Sequence, residues 1–228
     1  MSSTVETREK RVAGGGEVAN LDWSLRARQT LAVLRLELVK NFLGRRALLL
    51  YVLAGLPPAV LAAVAVFLPP GASGTFAESS TAYSVIYGGL ILRTLLFFGC
   101  AWVFMNLFRG EVVDRSLHYY FLAPVRREVL VVGKYLSGLV ATVTLFGIST
   151  LGSLALLYFG RFPSQSMEYF FDGPGFGQAL TYTGITMLAC LGYGAVFLIV
   201  GLFFRNPIIP AALIYGWEWI NFLLPPLL

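Results

Sequence analysis

The chain of 228 residues is 57% hydrophobic and 13% charged, with a mean hydropathy of +0.74. Soluble domains are nearer half apolar and about a quarter charged, so this composition excludes an ordinary soluble domain and predicts an all-α, polytopic membrane helical bundle. The net charge of +5 would suit nucleic-acid binding, but the positions of the basic residues argue against it. The two cysteines, Cys100 and Cys190, both lie in apolar runs, which predicts small buried side chains rather than a disulfide or a metal site.

The N-terminal region divides into a tail and a patterned helix. Residues 1–22 are polar and rich in glycine, without the apolar run of a signal peptide, which predicts a disordered cytosolic tail. In residues 25–43, Leu31, Leu34, Leu38 and Phe42 recur at helical spacing. A basic amphipathic helix directly before a span predicts an interfacial "elbow" helix, with a soluble packing helix as the alternative. We expect residues 23–228 to form one transmembrane domain.

Five apolar runs follow this helix. About 20 helical residues cross the ~30 Å hydrocarbon core of a bilayer, and each run is close to that length. Pro57 and Pro58 predict a kink in the first run, and Gly55, Ala59 and Ala63 predict a small-residue face for close helix contact. The predicted spans are 47–68, 82–107, 135–159, 178–204 and 208–224.

The distribution of basic residues predicts the orientation of the chain. Fifteen of the 17 Lys and Arg residues lie before residue 47, in 108–134 or at Arg205, which share one side if all five runs span. Lys and Arg favour the cytoplasmic side, so the N-terminus and 108–134 are predicted to be cytoplasmic, in the plasma or inner membrane of the cell. Contacts with anionic lipid headgroups account for the net charge, and we expect no nucleic-acid partner.

The charged segment 108–134 lies between the second and third runs. A charged side chain at the bilayer centre costs several kcal/mol, so this segment is predicted to lie in water. A short helix is predicted over 117–122 and ends at Pro124, because the residue before a proline is disfavoured in helical geometry. Such a helix, attached to two spans, would act as a lever; an ordinary charged loop is the alternative.

The sequence contains no constellation of residues that predicts catalysis. His118 is the only histidine, which excludes zinc motifs with paired histidines, and there is no Gly-x-Ser-x-Gly nucleophile motif. We therefore expect no catalytic residue, no metal and no cofactor in this chain, and no enzymatic activity of its own.

The 108–134 segment carries a pattern of short motifs in the order Gly110-Glu111, Ser116-Leu117, Tyr119-Tyr120-Phe121-Leu122, Pro124-Val125-Arg126-Arg127 and Gly133-Lys134-Tyr135. The pattern resembles the loop between spans two and three of the permease subunits of ABC transporters of the type-2 export class. In that family the loop forms a coupling helix that docks onto a separate ATPase subunit. The order of the interfacial helix, the spans and this loop also agrees, although the family usually has six spans and five are visible here.

The resemblance implies a permease subunit of an ATP-driven exporter. Its implied partners are ABC ATPase subunits, which bind ATP and Mg, and a second permease subunit. Residues of the segment would contact the ATPase or the lipid headgroups, and those implied are Arg109, Glu111, Asp114, Arg115, Leu117, His118, Tyr120, Phe121, Arg126 and Arg127. A non-transporting membrane scaffold that recruits a cytosolic partner through the same segment is the alternative, and an intramembrane enzyme is less well supported.

Two ionisable residues lie inside predicted spans. Arg93 and Glu218 are each about twelve residues from one end of their span, which places both near mid-depth at ~1.5 Å per residue. Ions at that depth usually face the bundle interior and pair with each other. We expect the two to meet near the translocation path, since spans two and five line it in the resembled family; a structural pair remote from the cargo is the alternative.

Overall fold

The computed structural model describes residues 26–44, 47–67, 76–113, 127–161, 163–204 and 206–224. Of these residues 95% are helical and none lies in a strand, so the all-α prediction is confirmed for this part of the chain. The predicted tail, 1–22, lies outside it. The helices are α1 (26–43), α2 (Ala47–Phe67), α3 (Phe76–Ile86), a π-helical segment (Tyr87–Leu96), α4 (Phe97–Val113), α5 (Arg127–Arg161), α6 (Pro163–Phe171), α7 (Gly175–Phe203) and α8 (Ile208–Leu223).

In the described part of the chain, four stretches of helix are long and apolar enough to cross a membrane, which indicates a multi-pass membrane protein. They are Ala47–Phe67, Glu78–Leu107, Glu128–Gly160 and Gly175–Phe203. Helix α8, predicted as a fifth span, has 16 residues. At ~1.5 Å per residue it is about 24 Å long, shorter than the ~30 Å hydrocarbon core. The prediction of a helix at 208–224 is therefore confirmed, but its length does not by itself support a span.

Helix α5 begins earlier than the sequence predicted. It starts at Arg127, eight residues before the predicted span, and its 35 residues extend for about 52 Å. Val129 and Leu130 are buried, so packing against the bundle continues the helix through a stretch that hydropathy alone assigned to the loop. Residues 127–134, predicted to belong to the charged segment between two spans, are therefore part of a helix.

The core of the bundle surrounds α4. This helix packs against α7, α5 and α2, while α2 and α7 also pack along α5. Phe97, Phe104, Phe146 and Phe197 are all essentially inaccessible, and the Phe97 and Phe197 rings meet edge to face at 4.8 Å. Lipid tails are as apolar as these side chains, so close packing rather than exclusion from water holds such helices together.

The close helix contact predicted for Gly55, Ala59 and Ala63 is not formed within the described bundle. All three residues are exposed, and a Cβ added at Gly55 would meet no atom within 4 Å. The helix continues through both prolines, and the side of α2 that packs against the bundle carries Ala47, Leu50, Ala54 and Pro57.

Glycine allows α7 to approach α4 at van der Waals distance. A Cβ added at Gly201 would lie 2.9 Å from the Cα of Met105 and 3.1 Å from its carbonyl oxygen, and one at Gly194 would lie 2.7 Å from the Phe104 ring. A backbone cannot swing aside as a side chain can. The contact at Gly201 therefore fixes the distance between the two helices.

We expect Gly201→Ala to lower the free energy of unfolding by about 1–3 kcal/mol, the usual cost of overpacking. Gly184→Ala is the matched control, because it lies on the same helix and an added Cβ would meet nothing within 4 Å. Thermal unfolding of both variants in one detergent measures the difference. Equal midpoints for the two variants would show that α7 and α4 are not in close contact at Gly201.

Candidate functional site: charged groups within the helical bundle

The π-helical segment shapes the surroundings of Arg93. In this wider helix, side chains reach carbonyl groups five residues earlier: Arg93 Nη1 donates to the Gly88 carbonyl at 2.9 Å and Thr94 Oγ1 to the Gly89 carbonyl at 3.1 Å. The segment begins fewer than ten residues into the Glu78–Leu107 stretch, and Arg93 lies close to the middle of that stretch. Segments of π-helix are frequent at functional sites in proteins.

Arg93 forms an ion pair with Glu218 of α8. Its Nε lies 3.6 Å from Glu218 Oε2, and about a quarter of each side chain is exposed, 26% and 28%. Tyr193 of α7 lies beside both charges, and the Thr94 and Tyr215 hydroxyl groups approach to 3.4 Å. The pair neutralises two charges within apolar helices, where a lone ion is costly, and joins α8 to the π-helical segment. It is accessible from a surface of the described bundle. That a cargo passes this pair stays a prediction.

A second charged cluster joins α1 to α5 and was not singled out from the sequence. Lys134 is fully buried, and its ammonium group donates to Glu37 Oε1 at 2.9 Å and to the Leu107 carbonyl at 3.3 Å. Lys40 donates to the same carboxylate oxygen at 3.0 Å. One signal was available: Glu37 is the only acidic residue in the basic helix 25–43. The burial of Lys134 had no such signal, because its partner lies 97 residues away.

A network of hydroxyl groups lies at Tyr87, where the π-helical segment begins. The Tyr87 hydroxyl contacts Thr186 Oγ1 at 2.7 Å and donates to the Tyr182 carbonyl at 2.8 Å, and Thr186 contacts Thr150 Oγ1 at 3.2 Å. Each of these buried hydroxyl groups therefore has a hydrogen-bond partner, as groups shielded from water require. The network links the π-helical segment, α5 and α7, and its satisfied bonds suit a structural role.

Most of the residues implied by the resemblance cannot be placed. Arg109 and Glu111 belong to the last turns of α4, and Arg127 begins α5. The rest lie outside the described residues: Asp114, Arg115, Leu117, His118, Tyr120, Phe121 and Arg126. The helices that flank the segment are in contact, because Lys134 of α5 donates to the carbonyl of Leu107 of α4.

Within the described part of the chain, no group of three His, Cys, Asp or Glu residues is placed to hold a metal ion. Cys100 and Cys190 are free thiols buried in one core cluster. Both behave as small apolar side chains there.

No family model, no curated protein and no solved structure matches the chain. What the sequence and the fold establish together is a multi-pass, helical membrane protein. Its described residues include the Arg93–Glu218 pair between the π-helical segment and α8 and the Glu37–Lys134 pair between α1 and α5.

Proposed function

We propose that this protein is the permease subunit of an ATP-driven exporter of the type-2 ABC class. The proposal is supported by the motif pattern of 108–134, by the order of the helices and by the excess of basic residues on one side. In this proposal the N-terminus and the charged segment face the cytoplasm in the plasma or inner membrane. ABC ATPase subunits carrying ATP and Mg bind the segment, and a second permease subunit completes the pathway.

The observation that carries the proposal is that the two helices flanking the charged segment, α4 and α5, pack against each other. Lys134 Nζ lies 3.3 Å from the carbonyl oxygen of Leu107. Just beyond it, α5 approaches α4 so closely that a Cβ at Gly138 would lie 2.9 Å from the Phe104 ring. A force on a segment that joins these two helices is transmitted to α4 and α5 together, because packed helices move as rigid elements.

The proposed mechanism follows from the packing of α4 against α5. Closure of the ATPase pair on ATP would displace the segment, tilt α4 and α5, and open the interface between the permease subunits. The π-helical segment precedes α4 directly, so this tilt would also move Arg93. The Arg93–Glu218 pair would be the polar feature that a cargo meets near mid-depth.

Affinity purification of the intact protein in mild detergent tests the proposal. A P-loop ATPase is expected to co-purify with the native chain and to be lost when Leu117, Tyr120 and Phe121 are all changed to Ala, since aromatic anchors dominate binding at interfaces. The matched control changes Phe171, Phe176 and Leu180 to Ala. These three apolar side chains are exposed near the start of α7, at the end of the bundle remote from the segment.

The outcomes separate the two candidate functions. Loss of the ATPase only from the segment variant, together with cargo-stimulated ATP hydrolysis, supports the exporter. Capture of a cytosolic partner without ATPase activity would favour the scaffold, and absence of any ATPase from native preparations would contradict the exporter.

A further inference from the structure

We infer that the Glu37–Lys134 ion pair fastens α1 to α5, so that the interfacial helix and the base of the charged segment move as one body. The inference rests on the proposed function, in which the segment receives the motion of an ATPase. It makes α1 a working part of the coupling device rather than a membrane anchor alone, and it makes Glu37 and Lys134 positioning residues.

The burial of the pair is the first ground for this inference. Lys134 has no accessible side-chain surface and Glu37 has 6%, whereas Lys40, which shares the same carboxylate oxygen, is 53% exposed. An ion pair that is shielded from water is hard to separate, because each charge would lose a close counter-charge in an apolar surrounding. Relative motion of α1 and α5 at this point is therefore opposed.

The packing around the pair is the second ground. A Cβ at Gly133 would lie 2.9 Å from Val33 Cγ1 and 3.3 Å from the Thr30 carbonyl oxygen, so the two helices touch one turn before the ion pair on α1. One turn after Glu37, Asn41 Nδ2 donates to Ser137 Oγ at 3.4 Å. The contact thus runs along more than two turns of α1.

The ion pair lies at the point where α1, α4 and α5 meet, which decides what the contact can transmit. Lys134 also bonds to the Leu107 carbonyl at the end of the described core of α4, so α1, α4 and α5 meet at one ammonium group. In this inference, a displacement of the segment between α4 and α5 is transmitted to the contact that the three helices make at Lys134. Through Glu37 it reaches α1, whose exposed leucines contact the surrounding lipid in the predicted interfacial placement.

The test uses the permease–ATPase complex and measures coupling, the ratio of the ATPase rate in the complex to the rate of the ATPase alone. Glu37→Gln keeps the shape of the side chain and removes its charge; we expect the ATPase still to bind while coupling falls roughly fivefold or more, the range of ordinary coupling energies. Lys40→Gln, which removes the exposed partner of the same oxygen, is the matched control and is expected to keep native coupling.

A disulfide between α1 and α5 tests whether the ion pair acts by holding these two helices together, because a purely structural role of the pair would not predict that the disulfide restores coupling. The Cβ position at Gly133 lies 3.1 Å from the Cβ of Val33. This is shorter than the roughly 3.5–4.5 Å that a disulfide needs, so forming the bridge requires the two helices to separate by only a few tenths of an ångström. We expect the V33C/G133C disulfide to leave coupling native in the otherwise unchanged protein and to restore it in the Glu37→Gln variant. Reduction with dithiothreitol should remove the restoration, since the covalent link replaces the ion pair.

Two results would overturn the inference. Native coupling in Glu37→Gln would show that the pair transmits nothing, and loss of coupling in the oxidised V33C/G133C protein would show that α1 and α5 must separate. The second result needs no destabilised variant, so it holds even if Glu37→Gln fails to fold. The co-purification experiment fails or succeeds independently: a native chain that captures no ATPase contradicts the proposed function, whereas a captured ATPase with unaffected coupling contradicts only this inference.

Discussion

Replacing Glu37 with leucine is expected to lower the free energy of unfolding by about 3–5 kcal/mol, the typical cost of removing one partner of a buried ion pair. The Lys134 ammonium would keep the Leu107 carbonyl but lose the Glu37 carboxylate, which lies 2.9 Å from it. A buried cation that loses a close counter-charge has less compensation for its desolvation penalty.

The other variants of a double-mutant cycle on Glu37 and Lys134 are expected to lower the free energy of unfolding by less. After Lys134→Met, Glu37 still has Lys40 at 3.0 Å, so its carboxylate remains paired. In the double variant E37L/K134M both charges are gone, and two apolar side chains of similar size fill the junction. Such replacements are often neutral or stabilising, so the double variant should be more stable than Glu37→Leu alone.

Thermal unfolding midpoints in one detergent measure this cycle, with Lys40→Met as the control on the exposed partner. The control should change stability by at most about 1 kcal/mol, as half-exposed ion pairs do. If Glu37→Leu were no less stable than the double variant, the Lys134 charge would not be buried against Glu37 in the folded protein.

Reversing either charge of the Arg93–Glu218 pair is expected to reduce the yield of folded protein sharply, and reversing both is expected to recover much of it. Each single reversal places two like charges within about 4 Å of each other, a repulsion of about 4 kcal/mol at an effective dielectric constant of 20. The exposed quarter of each side chain lets water reduce that figure. Recovery in R93E/E218R should be incomplete, because a glutamate at 93 cannot donate to the Gly88 carbonyl as Arg93 does.

Size-exclusion chromatography of fluorescent fusions measures the fraction of monodisperse protein for the two single reversals and the double. Arg93→Gln and Glu218→Gln serve as neutral controls, since they remove attraction without adding repulsion and should lie between the native chain and the reversals. A double reversal no better than the worse single reversal would mean that the two residues do not interact in the membrane.

Local sequence features predicted the parts of this fold that depend on local physics. Long apolar runs predict helices, because within a bilayer the backbone must satisfy its own hydrogen bonds. The Arg93–Glu218 contact was foreseeable for a related reason: two mid-depth ions in one apolar chain are costly unless they meet. The function of that pair was not readable from the same pattern, because a structural ion pair has the same residues at the same depth.

Element boundaries and inward faces depended on contacts that the local pattern does not contain. Hydropathy placed Lys134 in a polar loop, yet the buried Val129 and Leu130 extend α5 around it. The leucine pattern of α1 drew attention to Leu31, which is 62% exposed, whereas Glu37 is the residue of that helix buried against the bundle. A charged side chain becomes a buried one only when its partner arrives from elsewhere in the chain.

The sequence by itself determined that the chain is helical and that it enters the membrane several times, and it predicts that the basic residues lie on one side. Each of these properties follows from composition and from periodicity over fewer than about thirty residues, the scale set by bilayer thickness. Only the tertiary structure decided which helices meet, that Gly201 sets the distance between α7 and α4, and that Glu37 and Lys134 share a buried junction. These depend on the packing of side chains between helices, where close approach requires small residues and buried charges require partners.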